Sequence, residues 1–372
     1  MSRRSNRRER RFNKRKSKKD FLKQIYDNVE NVISYSALYY SAFKCACGVL
    51  WKQSVQRFIL TILFKIYDAR KAIKAGKDIR RGFIEFDINE RGKRRHIKSV
   101  HFSERMVQKA LCAGVLIPLF YRDLVTDNSA SQLGKGTTFA TERITEHLRK
   151  FYRKHGRRGY VLLIDFKSYF DNIEHAPLKT SARERITDAG ILDLNDKFID
   201  ACGDRGLGLG SEISQVHAVA YVNSIDHYIK EVARIKYYGR YMDDSYLIHE
   251  SKEYLQNLLK ILIEKYTEIG ITINQKKTVI TDLKHGFTFL KTRFYITETG
   301  KIIRRPCRKS ITQERRKLKR QAKLFEKGVL TYKDVLTSFE SWRGSMKRRN
   351  AGRTVQNMTK LFNTLFKEQK EN

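Results

Sequence analysis

Two short apolar runs, each bordered by aspartate, constrain the fold of this chain more than any other feature. Val161-Leu-Leu-Ile-Asp165 has the composition of a buried strand that ends on a carboxylate, and Tyr237 to Ile248 is typical of two short strands around Tyr241-Met-Asp-Asp244. Carboxylates at strand ends can hold two divalent cations roughly 3.5 to 4 Å apart, an arrangement that serves phosphoryl or nucleotidyl transfer. The sequence therefore predicts a sheet that carries a metal site of Asp165, Asp243 and Asp244.

The charge of the chain narrows the class of partner. Its 372 residues include 77 Lys and Arg against 40 Asp and Glu, a formal net charge of +37. A surplus of this size calls for a polyanion, and nucleic acid is the first candidate. A membrane is the competing polyanion, but the longest apolar run, Ala110 to Tyr121, falls short of the roughly 18 residues that a spanning helix needs. We therefore expect a soluble protein that binds nucleic acid and no membrane.

The cysteines and the basic N-terminus bear on location and binding. The five cysteines are odd in number and scattered, so neither a disulfide framework nor a zinc site is expected, and a cytoplasmic location fits. Residues 1–20 are rich in Lys and Arg, and no apolar stretch of a secretory signal follows them. This tail is either a solvated disordered segment or an arm that binds phosphates, and the basic character of the whole chain favours the arm.

Apolar spacing predicts a mixture of helices and strands. A strand is expected over 82–87, followed by a basic turn over 91–95. Thr331 and Asp334 form a predicted capping box at the start of a helix. Helices are predicted over 21–40, 55–73, 104–119, 141–152, 312–327, 331–343 and 353–366.

Further motifs, taken in order, make the pattern specific. In chain order they are Lys93-Arg-Arg-His-Ile97, Gly134-Lys-Gly-Thr137, Asp165-Phe-Lys-Ser-Tyr-Phe-Asp-Asn-Ile173, Gly206-Leu-Gly-Leu-Gly-Ser-Glu-Ile-Ser-Gln215, Tyr241-Met-Asp-Asp244, Asn274-Gln-Lys-Lys-Thr278 and Phe289-Leu290. Over about residues 80 to 295 this series resembles the blocks of a bacterial-type reverse transcriptase, similar to the enzymes of diversity-generating retroelements and group II introns.

The resemblance implies a fold and an activity. The fold would be α+β, a right-hand polymerase with a basic tail (1–20), a helical N-terminal region (21–80), fingers (81–160), an antiparallel-sheet palm (161–300) and a helical thumb (301–372). The activity would be that of an RNA-directed DNA polymerase, a nucleotidyltransferase that adds dNTPs to a DNA or RNA primer on an RNA template. Its setting would be a bacterial or phage retroelement or an antiviral defence system. A dedicated structured noncoding RNA and an accessory protein are expected as further partners.

The resemblance also implies a metal site. Asp165 and Asp243 would ligate two Mg²⁺ ions, for which Mn²⁺ is a substitute, with Asp244 in a supporting role. The main-chain carbonyl of Phe166 would complete one coordination shell, which suits the preference of Mg²⁺ for oxygen ligands. Lys277 would protonate the leaving pyrophosphate, although Lys276 beside it, or an ordinary solvated lysine, is the alternative.

Nucleotide-binding residues follow from the same resemblance. Arg95 would hold the triphosphate, with Lys93 and Arg94 as alternates, because a guanidinium matches phosphate oxygens; a surface basic cluster is the competing interpretation. Phe170, five positions after Asp165, would be the ring that clashes with a 2′-hydroxyl and so favours deoxynucleotides. The remaining nucleotide-binding candidates are Leu209, Gly210 and Gln215.

Some positions depart from the usual pattern of these enzymes. Leu209 stands where many relatives have Gln, Gln215 where the block usually ends in Pro, Gln132 where Arg is frequent, and Lys291 where Gly usually follows Phe-Leu. An apolar residue at the position of Leu209 also occurs in retroelement and defence-associated enzymes, so error-prone or template-independent DNA synthesis is an alternative function. A catalytically silent RNA-binding scaffold is the alternative from a different class.

Overall fold

The structure is a computed structural model of the chain, and it describes residues 13, 17, 19–90 and 93–366. Most of the predicted basic tail, residues 1–20, therefore lies outside the described residues. Within them no helix is both long enough and apolar enough to cross a membrane. All five cysteines are described, and each is a free thiol.

Helices dominate the described residues, and short antiparallel strands lie between them. The helices are α1 (19–26), α2 (Glu30–Ile33), α3 (Tyr35–Ala46), α4 (Gln53–Leu60), α5 (Ile62–Lys74), α6 (Phe102–Leu111), α7 (Ile117–Phe120), α8 (Thr137–His155), α9 (Tyr169–Asn172), α10 (His175–Arg183), α11 (Ala189–Asp200), α12 (Glu212–Tyr221), α13 (Asn223–His227), α14 (Lys252–Glu268), α15 (Arg308–Glu326), α16 (Tyr332–Met346) and α17 (Gly352–Leu365). The strands are β1 (Phe83–Glu90), β2 (Lys93–Val100), β3 (Tyr160–Asp165), β4 (Tyr237–Tyr241), β5 (Asp244–His249), β6 (Val279–Asp282), β7 (Phe287–Phe289), β8 (Thr292–Ile296) and β9 (Ile302–Pro306).

One compact unit comprises the described residues up to Lys135, together with Phe166–Arg234 and Lys260–Asn274. Helices α2 to α6, α11 and α12 pack their apolar faces into a common core, which includes the fully buried Leu38 and Ile66. The antiparallel hairpin β1–β2 belongs to this unit.

A second compact unit comprises Gly136–Asp165, Ile235–Leu259 and the described residues from Gln275 onward. It contains a four-stranded antiparallel sheet in the order β4-β5-β3-β6 and a three-stranded sheet in the order β7-β8-β9. Helix α8 and these sheets share one core, and α15 to α17 form another core around Phe339 and Phe362.

Strand β3 has an inner position in the four-stranded sheet because its side chains are apolar. Val161 and Leu162 are fully buried, and β3 pairs with β5 on one side and β6 on the other. A strand with neighbours on both edges and apolar residues in succession is typical of a buried position. Glycine is needed in β4, since a Cβ on Gly239 would lie 2.7 Å from the ring of Tyr246.

The predicted α+β class with antiparallel sheets is confirmed, as are the strands that end at Asp165 and flank Tyr241-Met-Asp-Asp244. The capping box is also confirmed: Thr331 Oγ1 accepts a hydrogen bond from the Asp334 backbone N–H, and the Asp334 carboxylate accepts one from the Thr331 N–H.

Three local predictions were wrong. The helix predicted over 55–73 is interrupted at Thr61, which lies between α4 and α5. Lys93 to Arg95 belong to strand β2 rather than to a turn. Cross-strand charge pairs favour this strand, since Arg94 lies 2.6 Å from the Asp87 carboxylate. The predicted helix over 21–40 is broken into α1, α2 and α3. Ser34 is the N-cap of α3 and accepts a hydrogen bond from Ala37 N, and the Asn28 side chain between α1 and α2 accepts one from Glu30 N.

Candidate active site

The sheet brings the predicted carboxylates of the second unit to one end of its strands. Asp165 is the last residue of β3, Asp244 is the first residue of β5, and the two are direct partners in the antiparallel register. Direct partners in such a pair present their side chains on the same face. Asp243 lies in the loop between β4 and β5. Two aspartates that are far apart in the sequence therefore become neighbours.

The loop that carries Asp243 has an unusual backbone. Only Met242 and Asp243 connect β4 to β5, and Met242 has a positive φ of 54°. Two-residue hairpin loops need a positive φ at their first position, where glycine or asparagine is common. Arg240, which is almost fully buried at 1% exposure, donates a hydrogen bond from Nη1 to the Met242 carbonyl at 3.1 Å. This contact fixes the loop in a conformation that methionine rarely adopts.

Lys277 forms a close contact with the Asp165 carboxylate. Its Nζ donates hydrogen bonds to both oxygens of Asp165, at 2.8 and 2.7 Å. Leu163 of β3 pairs with Val279, the first residue of β6, and Lys277 lies in the turn directly before that strand, near the end of β3 that carries Asp165. The Asp165 carboxylate, followed by the charges of Asp244 and Asp243, raises the pKa of the Lys277 ammonium above its ordinary value. Lys277 is therefore held as a cation beside the carboxylates.

These residues open into a pocket of about 230 Å³ in the second unit. Asp165, Asp244, Lys277, Phe289 and Lys291 are among the side chains that line it. Asp165 is deeply set, with 12% of its side chain exposed, whereas 57% of the Lys277 side chain is exposed. The pocket thus combines a recessed carboxylate with a cation at its mouth.

The donor set suits a hard divalent cation. Asp165 and Asp244 offer oxygen ligands, which Mg²⁺ prefers, and the Lys277 ammonium shows that positive charge is stabilised against both Asp165 oxygens. Among the described residues no cluster of three or more His, Cys, Asp and Glu side chains is arranged as a metal site. The ligand set of Asp165, Asp243, Asp244 and the Phe166 carbonyl therefore stays a prediction.

The glycine-rich block and hairpin β1–β2 meet within the first unit. The Leu209 carbonyl accepts a hydrogen bond from the Lys98 N–H of β2 at 3.2 Å. Gly210 has a φ of 115°, and a Cβ there would lie 3.2 Å from the Ile97 side chain. Two of the predicted nucleotide-binding residues therefore lie against the strand that contains Arg95. The Arg95 side chain itself lies outside the described residues.

Phe170 and Gln215 also belong to the first unit. The Phe170 carbonyl accepts a hydrogen bond from Leu207 N–H at 2.7 Å, which ties α9 to the glycine-rich block. The Phe170 ring is half-buried, with its centroid 5.8 Å from that of Tyr169 in an edge-to-face arrangement. Gln215 is exposed and accepts a hydrogen bond from Ser131 Oγ at 3.4 Å. Hydrogen bonds therefore join the glycine-rich block to α9 and to β2, and the candidate residues on these three elements form one group.

Sequence reasoning missed residues that support the carboxylates. Arg240 was one, although an arginine inside the otherwise uncharged β4, two residues before Met242, is a readable signal. Thr278 was another: its Oγ1 accepts a hydrogen bond from the Asp165 N–H at 3.4 Å. Lys291 was noted only as a departure from glycine, and it lines the pocket. For Thr278 the sequence offers no signal, because the contact depends on the pairing of β3 with β6.

Comparison with known proteins identifies the family. The profile of the family described as "Reverse transcriptase (RNA-dependent DNA polymerase)" matches residues 88–294, which is more than half of the chain. The chain belongs to the reverse transcriptase family. This membership confirms the predicted enzyme class, an RNA-directed DNA polymerase and hence a nucleotidyltransferase, and the predicted polymerase fold class. No curated protein sequence matches the chain.

Several solved structures are similar to this reverse transcriptase chain. Telomerase from Candida albicans in complex with a fragment of telomeric RNA is 15% identical, with a TM-score of 0.49, over 78% of this chain and 56% of that chain. An apo telomerase from Candida tropicalis, truncated from its C-terminal domain, is 16% identical with a TM-score of 0.46, over 60% of this chain and 55% of that chain. Another apo telomerase from Candida tropicalis is 14% identical with a TM-score of 0.47, over 62% and 49%. The chain spans about half the length of these structures.

Proposed function

We propose that the chain synthesises DNA on an RNA template by two-metal nucleotidyl transfer, adding dNTPs to the 3′-hydroxyl of a DNA or RNA primer. One observation carries the proposal: Asp165 and Asp244 are register partners that line a single pocket with the Lys277 ammonium. A transferase of this kind needs recessed carboxylates for cations and a proton donor beside them, and this pocket offers both.

The candidate residues of the pocket and its surroundings would have distinct roles. Asp165, Asp243 and Asp244, with the Phe166 carbonyl, would hold Mg²⁺ or Mn²⁺. When bound, such cations make the primer hydroxyl more acidic and neutralise the departing pyrophosphate. Lys277 carries a proton on Nζ that it would deliver to the pyrophosphate, a role that its contact with Asp165 supports by keeping it charged.

The nucleotide itself would be bound by the group of residues on α9, the glycine-rich block and β2. Arg95 would bind the triphosphate through its guanidinium, with Lys93 and Arg94 as alternates. Phe170 would exclude ribonucleotides, and Leu209, Gly210 and Gln215 would contact base and sugar. The hydrogen bonds from Leu207 N–H to Phe170 and from Lys98 N–H to Leu209 support this assignment because they hold these residues in one group.

We further propose a bacterial or phage element as the setting, either a retroelement or a defence system, and a cytoplasmic location. The fingers would lie within 81–160, the palm within 161–300 and the thumb within 301–372. A dedicated noncoding RNA and an accessory protein would be further partners. The large positive charge of the chain supports an RNA partner.

Primer extension on an RNA template tests the proposal. We expect the wild type to add dNTPs in the presence of Mg²⁺ and the Asp243→Ala, Asp244→Ala variant to lose all detectable extension while retaining RNA binding. The matched control replaces two aspartates outside the site, Asp193→Ala and Asp196→Ala on α11, with the same change of charge. Undiminished extension by the first variant would refute the proposal, and a wild type that binds RNA without extending any primer would favour the silent scaffold.

Error-prone synthesis is a second candidate because Leu209 offers no side-chain hydrogen bond where many relatives offer one from Gln. A lost hydrogen bond near the base or sugar weakens discrimination by on the order of 1 kcal/mol, or roughly fivefold. Leu209→Gln should therefore lower the misincorporation rate by about that factor, with Leu207→Gln at the neighbouring buried leucine as a control for perturbed packing. An ordinary wild-type error rate would exclude this candidate.

A further inference from the structure

Helices α3 and α5 expose large aromatic side chains on their outward faces. Tyr40 is 66% exposed, Phe64 is 76% exposed and Tyr67 is 51% exposed. The inward faces of the same helices are well packed, since Leu38, Ala42 and Ile66 lie in the core of the first unit. The exposed rings are therefore not part of an incomplete core. The outward aromatic residues of both helices are Tyr35, Tyr39, Tyr40, Phe43, Phe64 and Tyr67, which we call the aromatic surface.

The rings on each helix have helical spacing, and three of those on α3 lie close to one another. On α3 the centroids of Tyr39 and Phe43 are 4.8 Å apart and those of Tyr39 and Tyr40 are 5.9 Å apart. On α5, Phe64 and Tyr67 are three residues apart, which places them on one side of the helix. Exposed apolar groups that are contiguous in this way mark sites of interaction more often than scattered ones do.

Positive charge is interleaved with the rings. Residues 35–74 contain seven Lys and Arg and one acidic residue, Asp68; two of the seven, Arg70 and Lys74, also pair with the Glu30 carboxylate, at 2.7 and 3.1 Å. The Arg70 guanidinium lies 5.2 Å from the Tyr35 ring centroid, which also joins α5 to α3, and Lys71 Nζ lies 5.9 Å from the Tyr67 centroid. Cations at such distances are attracted to the faces of the rings. The aromatic surface thus offers π-faces and positive charges side by side.

This combination fits single-stranded nucleic acid better than other partners. Bases stack on exposed rings while nearby cations neutralise the phosphates, and RNA is bound in this way where its bases are unpaired. The buried centre of a protein interface is instead depleted of Lys. Amphipathic helices that lie on membranes separate their cations from their apolar face, whereas here the cations lie over the rings.

We infer that the aromatic surface on α3 and α5 binds a single-stranded segment of RNA. This binding site is formed by elements that carry none of the catalytic carboxylates. The inference takes from the proposed function only that RNA is the partner, and it does not require the chain to be active. Such a site would let the polymerase retain an RNA strand that is not being copied.

Equilibrium binding of a fluorescein-labelled, unstructured 20-nucleotide RNA to the full chain tests the inference. The Tyr40→Ala, Phe64→Ala, Tyr67→Ala variant should bind the RNA at least about tenfold more weakly, because each stacked base contributes a severalfold factor. The matched control is Leu60→Ala, Leu63→Ala, which removes exposed apolar side chains without a π-face from the same region, at 85% and 70% exposure. It should change the dissociation constant by less than about twofold.

The outcomes separate this site from the rest of the enzyme. The triple variant should keep the wild-type midpoint of thermal unfolding and its extension rate on a saturating short primer-template, whereas failure of the proposed function would abolish extension in the wild type as well. Equal weakening by the leucine control would show that the loss of RNA binding does not depend on the π-faces, and it would overturn the inference. An unchanged affinity of the triple variant for RNA would also overturn the inference. If that variant lost binding only to vesicles that contain anionic phosphatidylserine, the aromatic surface would be a membrane site instead.

Discussion

Replacement of Lys277 by methionine should change metal affinity and reaction rate in opposite directions. In the structure its ammonium occupies both oxygens of Asp165, at 2.8 and 2.7 Å, so it competes with any cation that this carboxylate would bind. The Lys277 side chain is 57% exposed, and ion pairs in contact with water contribute only about 0.2 to 1 kcal/mol. Loss of the competitor should therefore tighten Mg²⁺ binding by no more than roughly fivefold.

The rate should fall in the same variant. Proton donation by a positioned side chain contributes about 10²- to 10⁴-fold, so we expect Lys277→Met to slow single-turnover incorporation by on the order of a hundredfold. Lys277→Arg separates the two effects, because arginine keeps the positive charge but does not release its proton. It should leave Mg²⁺ affinity near that of the wild type and slow the reaction as methionine does.

Titration calorimetry with Mg²⁺ in the absence of nucleic acid, and rapid-quench incorporation of one dNTP, provide the two measurements. Lys276→Met is the matched control: it removes a neighbouring exposed lysine, and neither quantity should change by more than about twofold. Weaker Mg²⁺ binding by Lys277→Met would refute the reasoning, because it would mean that the ammonium organises the carboxylates rather than competing for them.

Other predictions concern stability, primer binding and sugar selection. Burial lowers the pKa of His217 to about 3, so between pH 3 and about 6.5 only the unfolded chain binds the proton. The free energy of unfolding should therefore fall as the pH drops through this window, by up to about 2 kcal/mol at pH 5. Urea unfolding of His217→Gln should show a smaller fall. Lys291 has a positive φ of 59°, so Lys291→Gly should raise the free energy of unfolding by up to about 1 kcal/mol. Because Lys291 also lines the pocket, the same variant should bind primer-template more weakly and with a smaller salt dependence. A loss of both stability and binding, or a gain of both, would contradict this. Phe170→Ala should raise the use of rNTPs relative to dNTPs by about tenfold or more in competitive extension, and unchanged selectivity would rule out the proposed gate.

Features that depend on neighbours along the chain could be predicted from the sequence. The run from Val161 to Asp165 is apolar enough to predict a buried strand, and the capping box of Thr331 and Asp334 depends on residues only three positions apart. The motif order gave the family and the fold class, which the profile match over residues 88–294 confirms. Local chemistry decided each of these features, so no knowledge of the tertiary structure was needed.

Strands with polar or short sequences could not be predicted. Lys93-Arg-Arg-His is a run of basic residues, which is more typical of an exposed turn than of a strand. It forms a strand because Asp87 and Glu85 of β1 pair with Arg94 and His96. Strands β6 to β9 were also missed, since they are three to five residues long and gain their stability from partners. Pairing between strands is a non-local interaction, and short windows of sequence do not contain it.

The sequence by itself determined that this protein has carboxylates at the ends of apolar strands, a strongly basic chain and the motif order of a reverse transcriptase. Only the tertiary structure decided that Lys277 lies on Asp165, that Arg240 is buried beneath the Met242 loop and that the rings of α3 and α5 face outward. The physical reason is that composition and spacing fix which chemistry a residue can perform, whereas register and burial fix which groups it meets. In β-sheets the register is set by side chains distant in sequence.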